Sequence, residues 1–446
     1  MRPTLCWSDL AGSRVGLFGL GREGEANLRA CRARGIEPVL VDDAPHERGE
    51  GEPRALATAA GGLDALLSCD VVIKTPGISR YGSAVTALQN AGVAVVGGLG
   101  LWLQEADRRR VVCITGTKGK STTTAIVGHL LEGFGYRCFL GGNFGLSPFD
   151  PVVGTDYDFW VIEVSSYQAT DVSTSPPVVA VTSLHPDHLP WHGFDLQTYY
   201  GDKLSLCSQP GADLTVANGD SDLIRARRSL LGPRVQWIRA DDDPEASWME
   251  PLHLLGTHNR RNALIARALL HGLGVPQASN DDELRRACAG FTGLDSRLQV
   301  IGELGGVEFV DDGLSTNVLS ALAAIDAYSG RRVALIVGGM DRGIDYRQLA
   351  SGLASRTTEL LLLAIPDNGP KILEAVTAVG TGPAVTTVLT DSLEEAVRRG
   401  YEWAVPDGVV LLSPAAASFG RFHDYRERGV AFAAAMGGCV DVEAPK

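Results

Sequence analysis

Seven residues set the tightest limit on how this chain can fold: Thr115-Gly116-Thr117-Lys118-Gly119-Lys120-Ser121, preceded by RRVVCI and continued by TTTAIVGHLLEG. A glycine turn of this kind works when a buried strand enters it and a helix leaves it. Its backbone amides and the helix N-terminus then hold a negatively charged group together. Parallel βαβ units supply that arrangement, so the segment commits its surroundings to an α/β domain. In such a loop Lys120 reaches the β- and γ-phosphates of a nucleotide, and Ser121 can hold Mg²⁺. Gly116, Thr117, Lys118, Gly119 and Thr122 complete the candidate nucleotide-phosphate site. The full G-x-x-x-x-G-K-[ST] pattern is not met, because Ile114 stands where its first glycine belongs. A strand-to-helix turn of chance composition is the plain alternative; the apolar strand and the helix around the turn favour the phosphate site.

The rest of the chain repeats the alternation. RVGLFGLG, EPVLVDDAP, CDVVIKTPGIS and GVAVVGG read as strands of a first segment ending near Gly98. A second runs from RRVVCITGTKGKS to about Leu298, through DFWVIEV, VVAVTSL and DLTVANGD. A third opens on the hairpin-like LQVIGELGGVEFVDDG and continues through RRVALIVGG, ELLLLAI and GVVLLSPAAAS. A chain of 446 residues exceeds what one core serves. The expectation is an α/β protein of three consecutive α/β domains: 1–98 Rossmann-like, 99–298 a P-loop ATPase-like parallel sheet, and 299–446 Rossmann-like.

With 53 acidic against 40 basic residues the net charge is −13, the wrong field for a protein that tracks nucleic-acid phosphates. No run of about 18 apolar residues suggests a membrane span, and the N-terminus lacks the basic-then-apolar layout of a signal peptide. The eight cysteines form no C-x-x-C pair, and several sit in apolar runs such as VVCIT, the usage of a reduced cytosol. A cytoplasmic chain is expected, with no nucleic-acid or membrane partner and monomeric by default.

Three further motifs carry chemistry. Glu163 ends DFWVIE, where a carboxylate in an open parallel sheet faces the ligand crevice and can take Mg²⁺. His185, His188 and His192 form H-x-x-H-x₃-H, either a zinc site or a polar loop; without cysteine partners zinc is the weaker reading. Gly19-Leu20-Gly21-Arg22-Glu23-Gly24 fits G-x-G-x-x-G, which alone reads as a dinucleotide turn with Asp42 on the ribose.

TGTKGKSTTT, GGNFG (141–145), EVSSYQ (163–168), HPDHL (185–189), Lys203, GTHNRRN (256–262), FTGLDSR (291–297) and LLSPAAASFGRF (411–422) stand in the order found in Mur ligases. The chain resembles that family over nearly its whole length. The last two motifs look like the branch that adds glutamate to UDP-N-acetylmuramoyl-L-alanine. The resemblance implies three domains that hold UDP, ATP with metals, and the incoming amino acid in turn. It also implies the reaction: ATP phosphorylates the alanyl carboxylate, the glutamate amine attacks the acyl phosphate, and phosphate leaves.

Two Mg²⁺ ions follow from the same resemblance, one served by Ser121, the other by Glu163 and His188. Lys203 matches a lysine that becomes carbamylated and bridges toward that metal, so Lys120, His188 and Lys203 form the implied catalytic set. As an unmodified ammonium Lys203 would repel Mg²⁺; a solvated surface lysine is the plain alternative. Asn143, Ser165 and Gln168 resemble muramoyl contacts. Asn259 and Asn262 resemble adenine-side residues, Arg297 an arginine that reaches ATP, and Asp312 the contact to the ATP ribose. The first glycine turn is reassigned to the UDP diphosphate, with Gly21, Arg22, Asp42, Thr75 and Gly77 around the nucleotide. Glu23 departs from the serine or threonine usual in the branch. A carboxylate beside a diphosphate repels it, with Arg22 as the compensating charge.

The C-terminal segment departs further. D-glutamate enzymes carry Asp-Ser-Lys-Ala-Thr-Asn where this chain has Asp312-Gly313-Leu314-Ser315-Thr316-Asn317. Thr316, Arg342, Ser418 and the aromatic Tyr425 keep the look of an amino-acid pocket. A dicarboxylate would still bind there, with one cation lost; a charged hydrogen bond is worth about 1.5–3 kcal/mol. The altered stretch resembles a sub-branch that adds L-glutamate, whose product a separate epimerase then inverts. An ordinary D-glutamate ligase is the alternative within the branch. Folylpolyglutamate synthase shares the phosphate loop and lysine but not SPAAASFGRF. A nucleotide-sensing binding module without ligation and a simple P-loop ATPase are the readings from other classes.

Overall fold

The computed structural model describes residues 2–45, 53–380, 382–418 and 420–441; Phe419 of the LLSPAAASFGRF stretch lies outside them. Short runs of valine, isoleucine and leucine, apolar on both faces, form strands buried between helices, as a parallel sheet requires. The three α/β sheets expected from the alternation are present.

The first contains β1 (Val15–Phe18), β2 (Val39–Asp42), β3 (Leu56–Ala57), β4 (Val71–Lys74) and β5 (Ala94–Val96), all parallel, in the order β3-β2-β1-β4-β5. Its order reverses at β1, so the loops after β1 and β4 flank a crevice, and these carry Gly19–Gly24 and Thr75–Gly77. The second contains β6 (Val111–Thr115), β7 (Cys138–Gly142), β8 (Phe159–Glu163), β9 (Val178–Val181), β10 (Leu214–Asn218) and β11 (Arg234–Ile238). These too are all parallel, in the order β11-β10-β9-β6-β8-β7. Its central β6 delivers the phosphate loop, with β8 and β9 on either side.

These two sheets share one core, running from Trp7, Leu28 and Leu99 to Ile162, Tyr199 and Leu204. Three aspartates of the second clamp side chains of the first. Asp150 takes Arg29 at 2.5 Å, Asp171 takes Lys74 at 2.5 Å and Arg80 at 2.7 Å, and both Asp202 oxygens accept from Tyr81 Oη at 2.8 Å. Met1–His253 with Arg260–Phe291 accordingly form one compact unit.

Leu254–Asn259 and Thr292–Lys446 form the other. Its sheet opens on an antiparallel hairpin, β12 (Gln299–Leu304) and β13 (Val307–Asp311), turning through Gly305 and Gly306, whose positive φ values suit glycine. The parallel strands β14 (Val333–Val337), β15 (Leu360–Ala364), β16 (Val385–Leu389) and β17 (Val409–Leu412) complete the order β12-β13-β17-β14-β15-β16. Separate apolar cores cover its two faces, around Leu335 and Leu349 on one and Phe309 and Phe432 on the other. Among the described residues no helix is long and apolar enough to cross a membrane.

Candidate functional site

The phosphate loop leaves β6 at Thr115 and is held open by two glycines. Gly116 has φ +142°, and a Cβ there would overlap the Thr182 hydroxyl. Gly119, at φ +85°, caps the helix Lys120–Gly133 and lies against Asn262, whose Oδ1 a Cβ would approach to 2.9 Å. The end of β9 cradles the loop from beneath. Thr182 Oγ1 and Ser183 Oγ donate to the Lys118 carbonyl at 2.6 and 2.9 Å, and Lys118 N donates to Ser183 Oγ at 2.7 Å. Thr117 is fixed by its neighbours Tyr199 Oη, 3.0 Å away, and His185 N, which donates to it at 3.0 Å. Thr182, Ser183 and Tyr199 escaped the sequence reading, since small hydroxyls after a strand, or a tyrosine inside a helix, carry no pattern of their own.

Two lysines converge on this loop. Lys120 Nζ donates to Gly116 O at 3.0 Å, and Lys203 Nζ donates to the same oxygen at 3.1 Å. Lys203, in the last turn of the helix Leu196–Leu204, is buried, which sets aside the surface-lysine alternative. Burial first, and then the nearby Lys120 charge, push its pKa well below the usual lysine range.

Glu163 lies at the end of β8 beside the loop. Ser121 Oγ donates to its Oε2 at 2.6 Å and Asn143 Nδ2 to its Oε1 at 2.7 Å, so the three side chains form one network that runs from buried Ser121 and Glu163 to exposed Asn143. His188, at φ +54°, packs its half-exposed ring on Tyr167, with centroids 5.1 Å apart, and lies 3.6 Å from Asp187. Burial lowers its pKa; Asp187 opposes this and Lys203 adds to it, which favours the neutral imidazole that a metal needs.

The zinc alternative does not survive the geometry. His192 is buried with Nδ1 2.7 Å from Asp202 and Nε2 3.1 Å from Ser166 Oγ, a structural network. Among the described residues no group of three or more His, Cys, Asp or Glu is placed to hold a metal. A hydroxyl, a carboxylate and a neutral imidazole are instead a fitting donor set for a hard cation supplemented by phosphate oxygens.

On the first sheet, Gly19 is required because a Cβ would overlap Thr75 Oγ1. Asp42 Oδ2 accepts from Leu20 N at 2.7 Å and so fixes this turn. Gly21 and Arg22 are exposed, and Gly77 has open space around it. Arg22 Nη2 donates to Asn143 O at 2.9 Å, and Glu23 accepts from Gln168 Nε2 at 2.9 Å. Ser165 caps the helix Ser166–Ala169 and exchanges hydrogen bonds with Gln168. The turn thereby meets Asn143, Ser165 and Gln168 in one place. Protein packed around the Glu23 carboxyl pushes its pKa up to about 7, against the Gln168 hydrogen bond and the Lys74 charge.

Asn262 belongs to this unit, whereas Asn259 Nδ2 donates to Leu255 O at 3.0 Å within the other. There, Asp312 is buried after β13. Its Oδ2 accepts from Ser413 Oγ at 2.7 Å and its Oδ1 from Leu298 N at 3.3 Å. Burial pushes its pKa up to about 7 despite these bonds and the attraction of Arg297. Thr316 and Arg342 are exposed on the loops after β13 and β14; Ser418 is buried, and Tyr425 opens the helix Tyr425–Gly437. Behind them lies Arg428, wholly buried. It donates to Gly313 O at 2.9 Å and reaches Ala416 O and Gly338 O at 3.4 and 3.5 Å, joining the loops after β13, β17 and β14. Gly313 is explained locally: its N–H donates to Asp311 Oδ1 at 2.8 Å, and a Cβ would come within 2.9 Å of that oxygen.

Comparison with known proteins agrees with this geometry. Residues 114–250 match the Mur ligase middle domain, and residues 296–416 the Mur ligase, glutamate ligase domain. The chain is 40% identical to a Micromonospora UDP-N-acetylmuramoyl-L-alanine--L-glutamate ligase, over 96% of this chain and 97% of that protein. It is 36% identical to the enzyme of the same name from Xanthomonas axonopodis pv. citri, covering 96% of each. A pseudomurein peptide ligase type C from Methanothermus fervidus shares the fold, with a TM-score of 0.55 at 16% identity over 96% of this chain and 100% of that one. So does the MurF ligase of Thermotoga maritima in complex with ADP, at 0.54 and 14% identity over 98% of each.

Proposed function

The chain belongs to the Mur ligase family of ATP-dependent, ADP-forming acid–amino-acid ligases, and from that premise we propose that it joins L-glutamate to UDP-N-acetylmuramoyl-L-alanine in cytoplasmic peptidoglycan precursor synthesis. The observation that carries the substrate is the end-to-end likeness, 96% of the chain, to a ligase that bears that substrate in its name. The Gly313-Leu314 change supports the L-enantiomer. In this reading residues 1–98 hold the UDP, 99–298 ATP and metal, and 299–446 glutamate, in a monomer.

A carboxylate is a poor electrophile until one oxygen becomes a phosphate leaving group. Lys120 supplies positive charge as the γ-phosphoryl group moves onto the alanyl carboxylate, and Gly116–Thr122 wrap the remaining phosphates. Ser121, Glu163 and His188 would hold two Mg²⁺ ions, which neutralise phosphate charge when bound. Burial and the nearby Lys120 charge shift Lys203 toward the neutral amine. Such an amine can add to carbon dioxide, forming an N–C bond and losing a proton, and so turn from a neutral amine into an anionic oxygen ligand. Asn143, Ser165 and Gln168 orient the acceptor. Asn259, Asn262, Arg297 and Asp312 serve the ATP base and ribose, and Thr316, Arg342, Ser418 and Tyr425 receive glutamate. Gly21, Arg22, Asp42, Thr75 and Gly77 surround the UDP.

The test supplies ATP, Mg²⁺ and UDP-N-acetylmuramoyl-L-alanine with L- or D-glutamate in separate reactions, and measures phosphate and ligated product. Product with L-glutamate alone is expected, and a separate epimerase must then invert it if the wall carries D-glutamate. Product with D-glutamate alone would overturn the stereochemical reading. ATP hydrolysis without ligation would overturn the acceptor.

A further inference from the structure

Two adjacent side chains of the first-sheet glycine turn leave it and end on the segments that follow β7 and β8 of the second sheet. Arg22 reaches the Asn143 carbonyl and Glu23 reaches Gln168, each at 2.9 Å. The orientation of Gln168 follows from its partners. Ser165 N can only donate, and it does so to Gln168 Oε1 at 3.0 Å, so the amide nitrogen must face the other way. It faces Glu23, which can accept. Glu23 itself lies in the first turn of the helix Arg22–Arg32, where a carboxylate is favoured. The charged groups acting on it are Lys74 and Arg22 as cations and Asp171 as an anion, and Lys74 is already paired with Asp171 at 2.5 Å. The carboxylate therefore turns from the exposed face of the nucleotide turn toward the second sheet, which answers the objection that it would repel a diphosphate.

We propose that Glu23 is a positioning residue for the acceptor: it aims Gln168, so that the nucleotide-sugar turn and the acceptor end of the site are set as one. This rests on the ligase reading above. The decisive experiment is a swap. Gln168→Glu sets a second carboxylate against Glu23 and is expected to raise KM for UDP-N-acetylmuramoyl-L-alanine about tenfold or more. Adding Glu23→Gln restores the bonds among positions 23, 168 and 165. The new amide donates to the new carboxylate, which still accepts from Ser165, so KM should fall about threefold or more below that of Gln168→Glu alone. Glu23→Ser, too short to reach Gln168, should raise that KM about fivefold. The parent's KM should also fall as pH rises through about 7, where the ionised carboxylate grips Gln168 more strongly, and this trend should vanish in Glu23→Gln. A swap that fails to rescue, or a parental KM in Glu23→Ser, would overturn the proposal. A parent enzyme that does not turn over this acceptor would instead overturn the reading beneath it.

Discussion

The loops at the carboxyl ends of β6 and of β13 hold their charge in opposite ways. Around β6 the amines and the carboxylate are the working surface itself. Lys120 and Lys203 meet at one carbonyl, and Glu163 is shared by Ser121 and Asn143. Around β13 the buried charge stands behind the surface. Arg428 and Asp311 fix the loop backbone, while Thr316 and Arg342 look outward. The difference teaches that a group meant to stabilise developing charge stands at the surface that meets the ligand, partly withdrawn from water, where its field is stronger. A pocket meant to discriminate among amino acids is shaped by backbone that something else pins.

The largest break in that contrast should come at β6. Lys120→Ala or Glu163→Ala is expected to cut phosphate release about 10³-fold or more while the chain stays folded. Circular dichroism together with turnover checks this, and near-normal turnover would sink the assignment. At β13 the largest effect should instead fall on stability. Arg428→Met leaves carbonyls of three loops unsatisfied and is expected to cost about 2–4 kcal/mol in denaturant unfolding, with a raised KM for glutamate.

Asp312 sharpens the contrast through pH. Its folded pKa, near 7, is raised above its unfolded value, so the folded state binds the extra proton between about pH 4 and 7. Stability of the second unit should fall as pH rises through that window and level off above it. The slope is limited to about 1.4 kcal/mol per pH unit for one proton. Unfolding curves at stepped pH measure it, and Asp312→Asn should flatten them. The smallest effect is the specificity change. Leu314→Lys restores a cation and is expected to shift the ratio of kcat/KM for D- over L-glutamate about tenfold. An unchanged ratio would show that the loop backbone alone sets the stereochemistry.

Much of the β6 site was legible because its residues are contiguous and their types are dictated by phosphate. The burial of Lys203 was partly legible. Tyr199 and Tyr200 stand one helical turn before it and are buried on the same face, though YYGDKLSL looks polar as a string. Arg428 has a similar weak sign, since Phe432 lies one turn further and is buried. The Glu23–Gln168 bond had none, for its partners are 145 residues apart and each looks like an ordinary surface residue in its own segment. Gly313 read as the loss of a serine, and only Asp311 oxygen beside it shows why a larger residue would crowd the loop.

The aspartate clamps between the first two sheets bear on how such a chain can be recombined. Asp150, Asp171 and Asp202 each answer a cation or phenol on the other side, and one apolar core runs beneath them. The first 98 residues are thus no interchangeable cassette. A chimera that borrowed them alone would strand Lys74 without its counter-charge, and the smallest piece that can be inherited or transplanted intact is the pair of sheets together.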